Sequence, residues 1–238
     1  PRDVLSRAIN EELLKGEAVY LDIRHLGEER INEGLPQERK LSILYENVDP
    51  VESLIPIKPV AHYTMGGIEV DANSQTNVSG LFACGECANH KVHGANRLGG
   101  NSLLEIVVFG REAGKAAAKS AQNHSHQMQD FQSKVIPFSF ESKEHHEYDF
   151  YAIKEELAEL LYTKVGIVRQ TQELQEAKSK IEEYLQKLPL MGVSDSSKLY
   201  NTNLVEFLEF VNMLELSLEL AQCALQREVS IGAHYRVG

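Results

Sequence analysis

The sequence is short of several things, and each shortage narrows what the chain can be. Only three cysteines occur among 238 residues, an odd count and too few for a disulfide scaffold. Lys and Arg total 24 against 35 Asp and Glu, a formal charge of −11. A surface that grips phosphate backbones needs a basic stripe, so nucleic acid is excluded as the main partner. No apolar run nears the roughly 20 residues of a membrane-spanning helix; the longest lies around Ile106-Val107-Val108-Phe109. No basic-then-apolar leader and no internal repeat are visible, and the G-x-G-x-x-G fingerprint that grips a dinucleotide pyrophosphate is missing. The sequence starts at Pro1 instead of Met and stops at Val237-Gly238, which reads as a piece of something longer.

What is there has the balance of a globular protein: 42% apolar and 25% charged residues. Three textures follow one another. In residues 1–58, Val4, Leu5, Ala8, Ile9 and Leu13 line one face of a helix. Asp3 is its expected N-cap and Gly16 its stop. Ala18–Ile23 alternates like a short strand, and the prolines at 50, 56 and 59 predict an extended run. Residues 59–122 are glycine-rich. They hold Gly66-Gly67, a turn-like Asp71–Ser79 tract, a strand candidate at Gly80–Cys84, and glycines from Gly94 to Gly100. Ser102-Leu103-Leu104-Glu105 matches a capping box, and a small-residue helix runs from Ile106 to about Ala121. A strand, a glycine-rich loop and a capped helix are a common setting for a nucleotide or cofactor.

Residues 123–149 form a polar connector. Its histidines (His124, His126, His145, His146) read as a solvated linker and not as metal ligands, since no fixed spacing supports ligation. From 150 onward the pattern is helical. Leu160, Ile167, Leu174, Ile181 and Leu188 recur every seven residues, predicting one helix ended by Pro189 and Gly192. A second helix begins near Asn201-Thr202 and is apolar nearly all round, as the buried member of a bundle would be.

Cys84-Gly85-Glu86-Cys87 followed by His90 and His93 imitates a zinc motif. All four residues fall within ten positions, too crowded for a structural site that separates its ligand pairs by a knuckle and a helix. Gly-Glu between the cysteines is also a poor helix start for a redox pair. His62, ahead of Gly66-Gly67, reads equally as a turn histidine or as a site residue facing a cavity. Arg97 lies just before the helix N-terminus. A guanidinium fork beside a positive helix end suits a carboxylate-bearing ligand, the alternative being a surface salt bridge.

Together these strings resemble a known family. His62-Tyr63-Thr64-Met65-Gly66-Gly67, then Gly85-Glu86-Cys87-Ala88, then His93 through Glu105 are similar to the flavoprotein subunits of fumarate reductase and succinate dehydrogenase. Pro1–Arg7 resembles an earlier motif of that family. Asn201–Arg227 and Gly232-Ala233-His234-Tyr235-Arg236 resemble its C-terminal helical region. The resemblance implies an α/β plus all-α architecture. Its parts are a capping-domain segment (1–58), the C-terminal part of a Rossmann-like FAD-binding domain (59–122), a linker (123–149) and a helical bundle (150–238).

It also implies FAD as cofactor and interconversion of fumarate and succinate by hydride transfer at flavin N5. Arg2 corresponds to the proton donor, and His62 and Arg97 to residues that hold the substrate carboxylates. Glu86, Ser102 and Leu103 correspond to flavin contacts. Implied partners are an iron–sulfur subunit and a membrane anchor of a quinone-linked complex, placing the protein at a membrane through those subunits, on its cytoplasmic face, with the periplasmic face as the alternative. L-aspartate oxidase shares the fold and a similar His-Gly-Ala-Asn-Arg run, but Gly85–Lys91 and Leu98-Gly99-Gly100 resemble the dicarboxylate reductases more closely. A non-catalytic helical interaction module is the rival from another class. Glu228-Val229-Ser230-Ile231-Gly232 departs from the family's usual Glu-Ser-Arg-Gly. With the pyrophosphate loop missing, weak or absent FAD binding is expected of these 238 residues alone.

Overall fold

The computed structural model describes residues 2–123 and 146–238. His124, His126 and His145 of the expected connector lie outside them. The chain divides into two compact units, Pro1–Tyr63 and Thr64–Gly238.

The first unit opens with helix α1, Arg2–Leu14. Asp3 is not its N-cap: it sits inside the first turn, where its carboxylate pairs with Arg7 one turn on, at 2.9 Å. Gly16 does end the helix, at φ +84°, with its N–H on the Leu13 carbonyl at 3.0 Å. The expected strand at 18–23 shrinks to β1, Tyr20–Leu21, paired antiparallel with β2, Ile55–Pro56. Between them lie helices α2 (Gly27–Gly34) and α3 (Pro36–Leu41) and a π turn over Ser42–Glu46. Arg39 ties this segment together. Its guanidinium grips Asp49 with two bonds, at 3.0 and 2.7 Å, and reaches Asn32 and Glu28. Ile31 is fully buried in this unit.

The second unit begins with β3, Ile68–Glu69, paired parallel with β4, Ala88–Asn89. The expected strand at Gly80–Cys84 is reduced to an isolated bridge between Gln75 and Phe82. A strand exists only where a neighbour completes its ladder, and among the described residues the sheets have two strands each. Helix α4 follows, Asn101–Asn123. It starts one residue before Ser102, so Ser102 is a first-turn residue and not the N-cap, and the capping-box reading fails. Glu105, which that box would have used, is drawn to histidines instead.

The bundle corrects the heptad reading. The single helix expected to run to Leu188 is two: α5, Phe150–Lys164, and α6, Thr171–Lys187. Gly166 stands at the break, where a Cβ would be 3.2 Å from the Tyr162 carbonyl carbon. Ile167 therefore belongs to a turn, and α6 runs back along α5. The Tyr184 hydroxyl donates to Glu156 at 2.7 Å, and Lys164 pairs with Glu176, which sets the two helices antiparallel. Folding back lets Phe150, Ile153 and Leu157 share a core with Ile181 and Tyr184, burial that one long helix would forfeit.

Helix α7, Thr202–Gln226, starts where expected and is N-capped by Asn201, which accepts from the Leu204 N–H at 2.8 Å. It is not buried all round. Phe210, Leu214, Ser217, Ala221 and Ala224 make one buried stripe, while Val205, Leu216 and Leu220 remain exposed. Alternating steps of four and three give a narrow seam, as in a coiled coil.

The C-terminal segment is clasped to the bundle. Arg236 Nη1 donates to the Ala224 carbonyl at 2.7 Å and Nη2 to Thr171 Oγ1 at 2.6 Å, joining the end of α7 to the start of α6. His234 is buried. Its Nδ1 meets Arg169 Nη1 at 2.7 Å and its Nε2 meets the Arg227 carbonyl at 2.8 Å. Since a guanidinium only donates and a carbonyl only accepts, the imidazole carries its proton on Nε2.

Candidate functional site

Most of the sequence-derived site residues fall in the second unit, in the loops on either side of β4 and at the start of α4. Glu86 is exposed before β4, and its carboxylate accepts the Thr64 backbone N–H at 2.8 Å. That bond holds the chain just after His62-Tyr63 against the Gly85–Cys87 turn. Gly67 permits the approach. It sits at φ +108°, and a Cβ there would stand 2.8 Å from the Cys87 carbonyl carbon. The Ile68 N–H then bonds the Cys87 carbonyl at 2.8 Å and opens the β3–β4 pair.

The segment 90–105 is organised by Glu105, a side chain only 2% exposed. One oxygen lies 2.6 Å from His93 Nε2, and the other lies 3.6 Å from His90 Nδ1. His90 is equally buried. Its ring stacks on Phe109 at 3.9 Å and its Nε2 meets Ser74 Oγ at 2.9 Å. Ser74 is fully buried, with φ +63°. Asp71 forces that conformation by accepting the N–H groups of Asn73 and Gln75 at 2.8 and 2.9 Å. Chiefly because of the Gln75 N–H, the Asp71 carboxyl is held below the usual carboxylate range.

A buried carboxylate thus pins both ends of the loop 90–93 to the first turns of α4. The loop then passes through Gly94 and Ala95 to Arg97, which is half-buried and donates to the Leu98 carbonyl at 3.0 Å. Ser102 and Leu103 lie in the first turn of α4, where the helix dipole favours an anion, while the Leu103 N–H is taken up by the Gly100 carbonyl at 3.1 Å. Beside them Leu98, Leu103 and Leu104 are exposed, and Gly94 and Gly100 have open space where a Cβ would stand.

The zinc look-alike comes apart in three dimensions. Cys84 and Cys87 are exposed, and the Cys87 thiol donates to the Cys84 carbonyl at 3.3 Å, while His90 and His93 turn inward to Glu105. Among the described residues, no group of three His, Cys, Asp or Glu side chains is arranged to hold a metal.

Arg2 and His62 belong to the first unit. Arg2 is the exposed first residue of α1, and His62 is exposed in a run without regular structure. Sequence reasoning missed the roles of Glu105, His90 and Ser74. Glu105 was assigned to a cap, and nothing in its local pattern points to a histidine twelve residues upstream.

Residues 1–103 match a family model described as an FAD binding domain, and residues 154–238 match one described as the fumarate reductase flavoprotein C-terminal region. The fumarate reductase flavoprotein subunit of Haemophilus influenzae is 41% identical over all of this chain and 42% of its own length. Its Escherichia coli counterpart is 38% identical with the same coverage. Among solved structures, Escherichia coli quinol fumarate reductase superposes with a TM-score of 0.89 at 36% identity, over 100% of this chain and 43% of that one. The Mycobacterium smegmatis Sdh1 complex superposes with a TM-score of 0.78 at 33% identity, over 100% and 42%. The chain spans about two fifths of the length of the relatives it matches.

The residues present fit the ring end of a flavin. An exposed apolar patch beside a helix N-terminus, with open glycines around it, suits a flat ring with an anionic edge. Two family models in succession, relatives of one description over the whole length, and superposition on two such enzymes agree: the chain belongs to the fumarate reductase and succinate dehydrogenase flavoprotein family.

Proposed function

We propose that this chain forms the substrate-side and helical parts of an FAD-dependent enzyme that interconverts fumarate and succinate. The observation that carries the reading is the loop 90–105. A buried Glu105–His93 pair holds the loop in which a half-buried arginine lies four residues ahead of α4, which supports a carboxylate-binding role for that arginine. Bound FAD supplies the hydride for one alkene carbon of the dicarboxylate. Arg2 gives its proton to the other carbon, and a carbanion is basic enough to take a proton even from a guanidinium. Arg97 and His62 hold the carboxylates, fixing which carbon faces which donor. Glu86, Ser102 and Leu103 would hold the flavin, and the positive end of α4 would favour negative charge there. The same groups serve succinate oxidation in reverse, and the redox potentials of flavin and quinone set the direction.

The domain assignment accompanies this reading: 1–58 capping segment, 59–122 flavin-domain portion, 123–149 linker and 150–238 helical domain. An iron–sulfur subunit and a membrane anchor complete the assembly, which holds the protein on the cytoplasmic face of a membrane. The solved relatives named as quinol-fumarate reductase and as an Sdh1 complex support that arrangement. Among the described residues no helix is long and apolar enough to cross a membrane.

The test is Arg97→Ala in the flavin-loaded enzyme. Dicarboxylate turnover should be abolished while flavin stays bound at wild-type stoichiometry. Flavin loss with turnover per remaining flavin unchanged would overturn the assignment. Copurification with an iron–sulfur protein separates this reading from an aspartate oxidase.

A further inference from the structure

The C-terminal clasp reaches the substrate loop at one point. Residues Ile231–His234 form a two-residue hairpin turn, with the Ile231 N–H on the His234 carbonyl at 2.8 Å and the His234 N–H on the Ile231 carbonyl at 3.0 Å. Gly232 takes the first central position at φ +56°, and Ala233 follows at a negative φ, the arrangement of a type II′ turn. The turn faces the loop that carries Arg97. The Ala233 N–H donates to the Ala95 carbonyl at 3.0 Å, and a Cβ on Gly232 would stand 2.6 Å from that carbonyl carbon and 2.7 Å from the Ala95 Cβ. The turn cannot drift, because the next residue is His234. Its two nitrogens are held by Arg169 and by the Arg227 carbonyl, and Arg236 fastens the chain to α6 and α7.

We propose that Gly232 and Ala233 act as positioning residues for Arg97. The helical bundle, through His234, sets the height of the Ala95 carbonyl and hence where the guanidinium two residues later meets a dicarboxylate. The inference rests on the reading of Arg97 as the carboxylate-binding residue. Two anchors hold the chain just ahead of the arginine. Glu105 holds the chain at His93 from the α4 side, and the hairpin holds it at Ala95 from the bundle side. With Ala95 so placed, only Asn96 separates the arginine from a fixed backbone atom. A glycine is needed at 232 for two separable reasons, a left-handed φ and the close approach, and only the second predicts an effect on substrate binding.

The experiment compares Gly232→Ala with Gly16→Ala in the flavin-loaded holoenzyme. Gly16 also has a positive φ, +84°, but open space at the Cβ position. Fumarate KM, kcat, flavin content and amide exchange of the peptide covering residues 93–100 are measured. Gly232→Ala should raise KM about tenfold or more, since misplacing a binding group by about 1 Å costs rates of that order. It should also speed exchange in that peptide and leave flavin content unchanged. Gly16→Ala should change neither KM nor exchange. If Gly232→Ala does not accumulate as folded protein, Arg169→Lys loosens the clasp without inserting an atom, and the same KM rise is expected. A folded, flavin-loaded Gly232→Ala or Arg169→Lys enzyme with wild-type KM overturns the proposal. Arg97→Ala run in parallel separates the two readings. If its KM and turnover are also normal, the assignment of Arg97 has failed; if only the clasp variants are normal, the positioning role alone has failed.

Discussion

Replacing Glu105 with alanine should damage the site more than its distance in sequence from Arg97 suggests. The side chain is 2% exposed and accepts from His93 at 2.6 Å, with its second oxygen 3.6 Å from His90. Removing it deletes a short hydrogen bond to an ionisable group, worth about 1.5–3 kcal/mol net. It also leaves two buried imidazole nitrogens facing a hole that no protein atom fills. Together these put the loss at roughly 3 kcal/mol. In a domain of this size that is a fall in Tm of about 6–12 °C. Glu105→Gln keeps the shape and one acceptor oxygen, so its loss should be smaller, roughly 1 kcal/mol. Thermal melting of the flavin-loaded protein gives the order wild type, Gln, Ala. Fumarate KM should rise in the same order, because the freed segment carries Arg97. An alanine variant that melts within about 1 °C of wild type with unchanged KM would refute the claim that Glu105 anchors the loop.

Other perturbations follow from the same structure. Burial, with the nearby positive charges of Arg169, Arg227 and Arg236, pushes the His234 pKa below its ordinary 6.5. The unfolded chain therefore takes up the proton first, so stability is full above about pH 6.5 and falls as the pH drops from there toward the folded-state value. Denaturant melts between pH 7.5 and 5 should show this slope flattened in His234→Gln, and an unchanged slope would sink the assignment. Leu214→Ala empties a fully buried position on the α7 seam and should cost about 2–5 kcal/mol in urea titrations. Leu216→Ala, 70% exposed on the same helix, should stay within about 0.5 kcal/mol of wild type. Asn201→Ala removes the α7 cap and the bonds that Nδ2 donates to the Asp195 and Ser197 carbonyls, and should cost about 2 kcal/mol, while Asn201→Ser, which restores only the capping oxygen, should recover about half of it.

The elements legible in the sequence were those with local causes. The stop at Gly16, the start of α7 near Asn201 and the turn around Asp71 each depend on residues within a few positions, and each stands where its residues predict. The misreadings share the opposite property. Asp3 has the right chemistry for a cap but also an arginine four residues on. Ser102 and Glu105 have the spacing of a capping box, but two histidines twelve and fifteen residues upstream claim the glutamate. The heptad from Leu160 to Leu188 is a true periodicity, yet it crosses a glycine at which the chain reverses. Periodicity reports which residues want burial, and it does not say whether they reach it in one helix or two.

The site divides along the same line. Sequence by itself was enough to place the family and to single out Arg97 beside a helix start. These are statements about residue type and short spacing, which the backbone cannot rearrange. Only the tertiary structure decided that Glu105 is the keystone of the loop, that His90 is buried beneath Phe109, and that Gly232 rests on the Ala95 carbonyl from 137 positions away in the chain. Burial makes those contacts matter, since a polar group removed from water must find its partner inside the fold, and which partner it meets is set by packing and not by sequence distance.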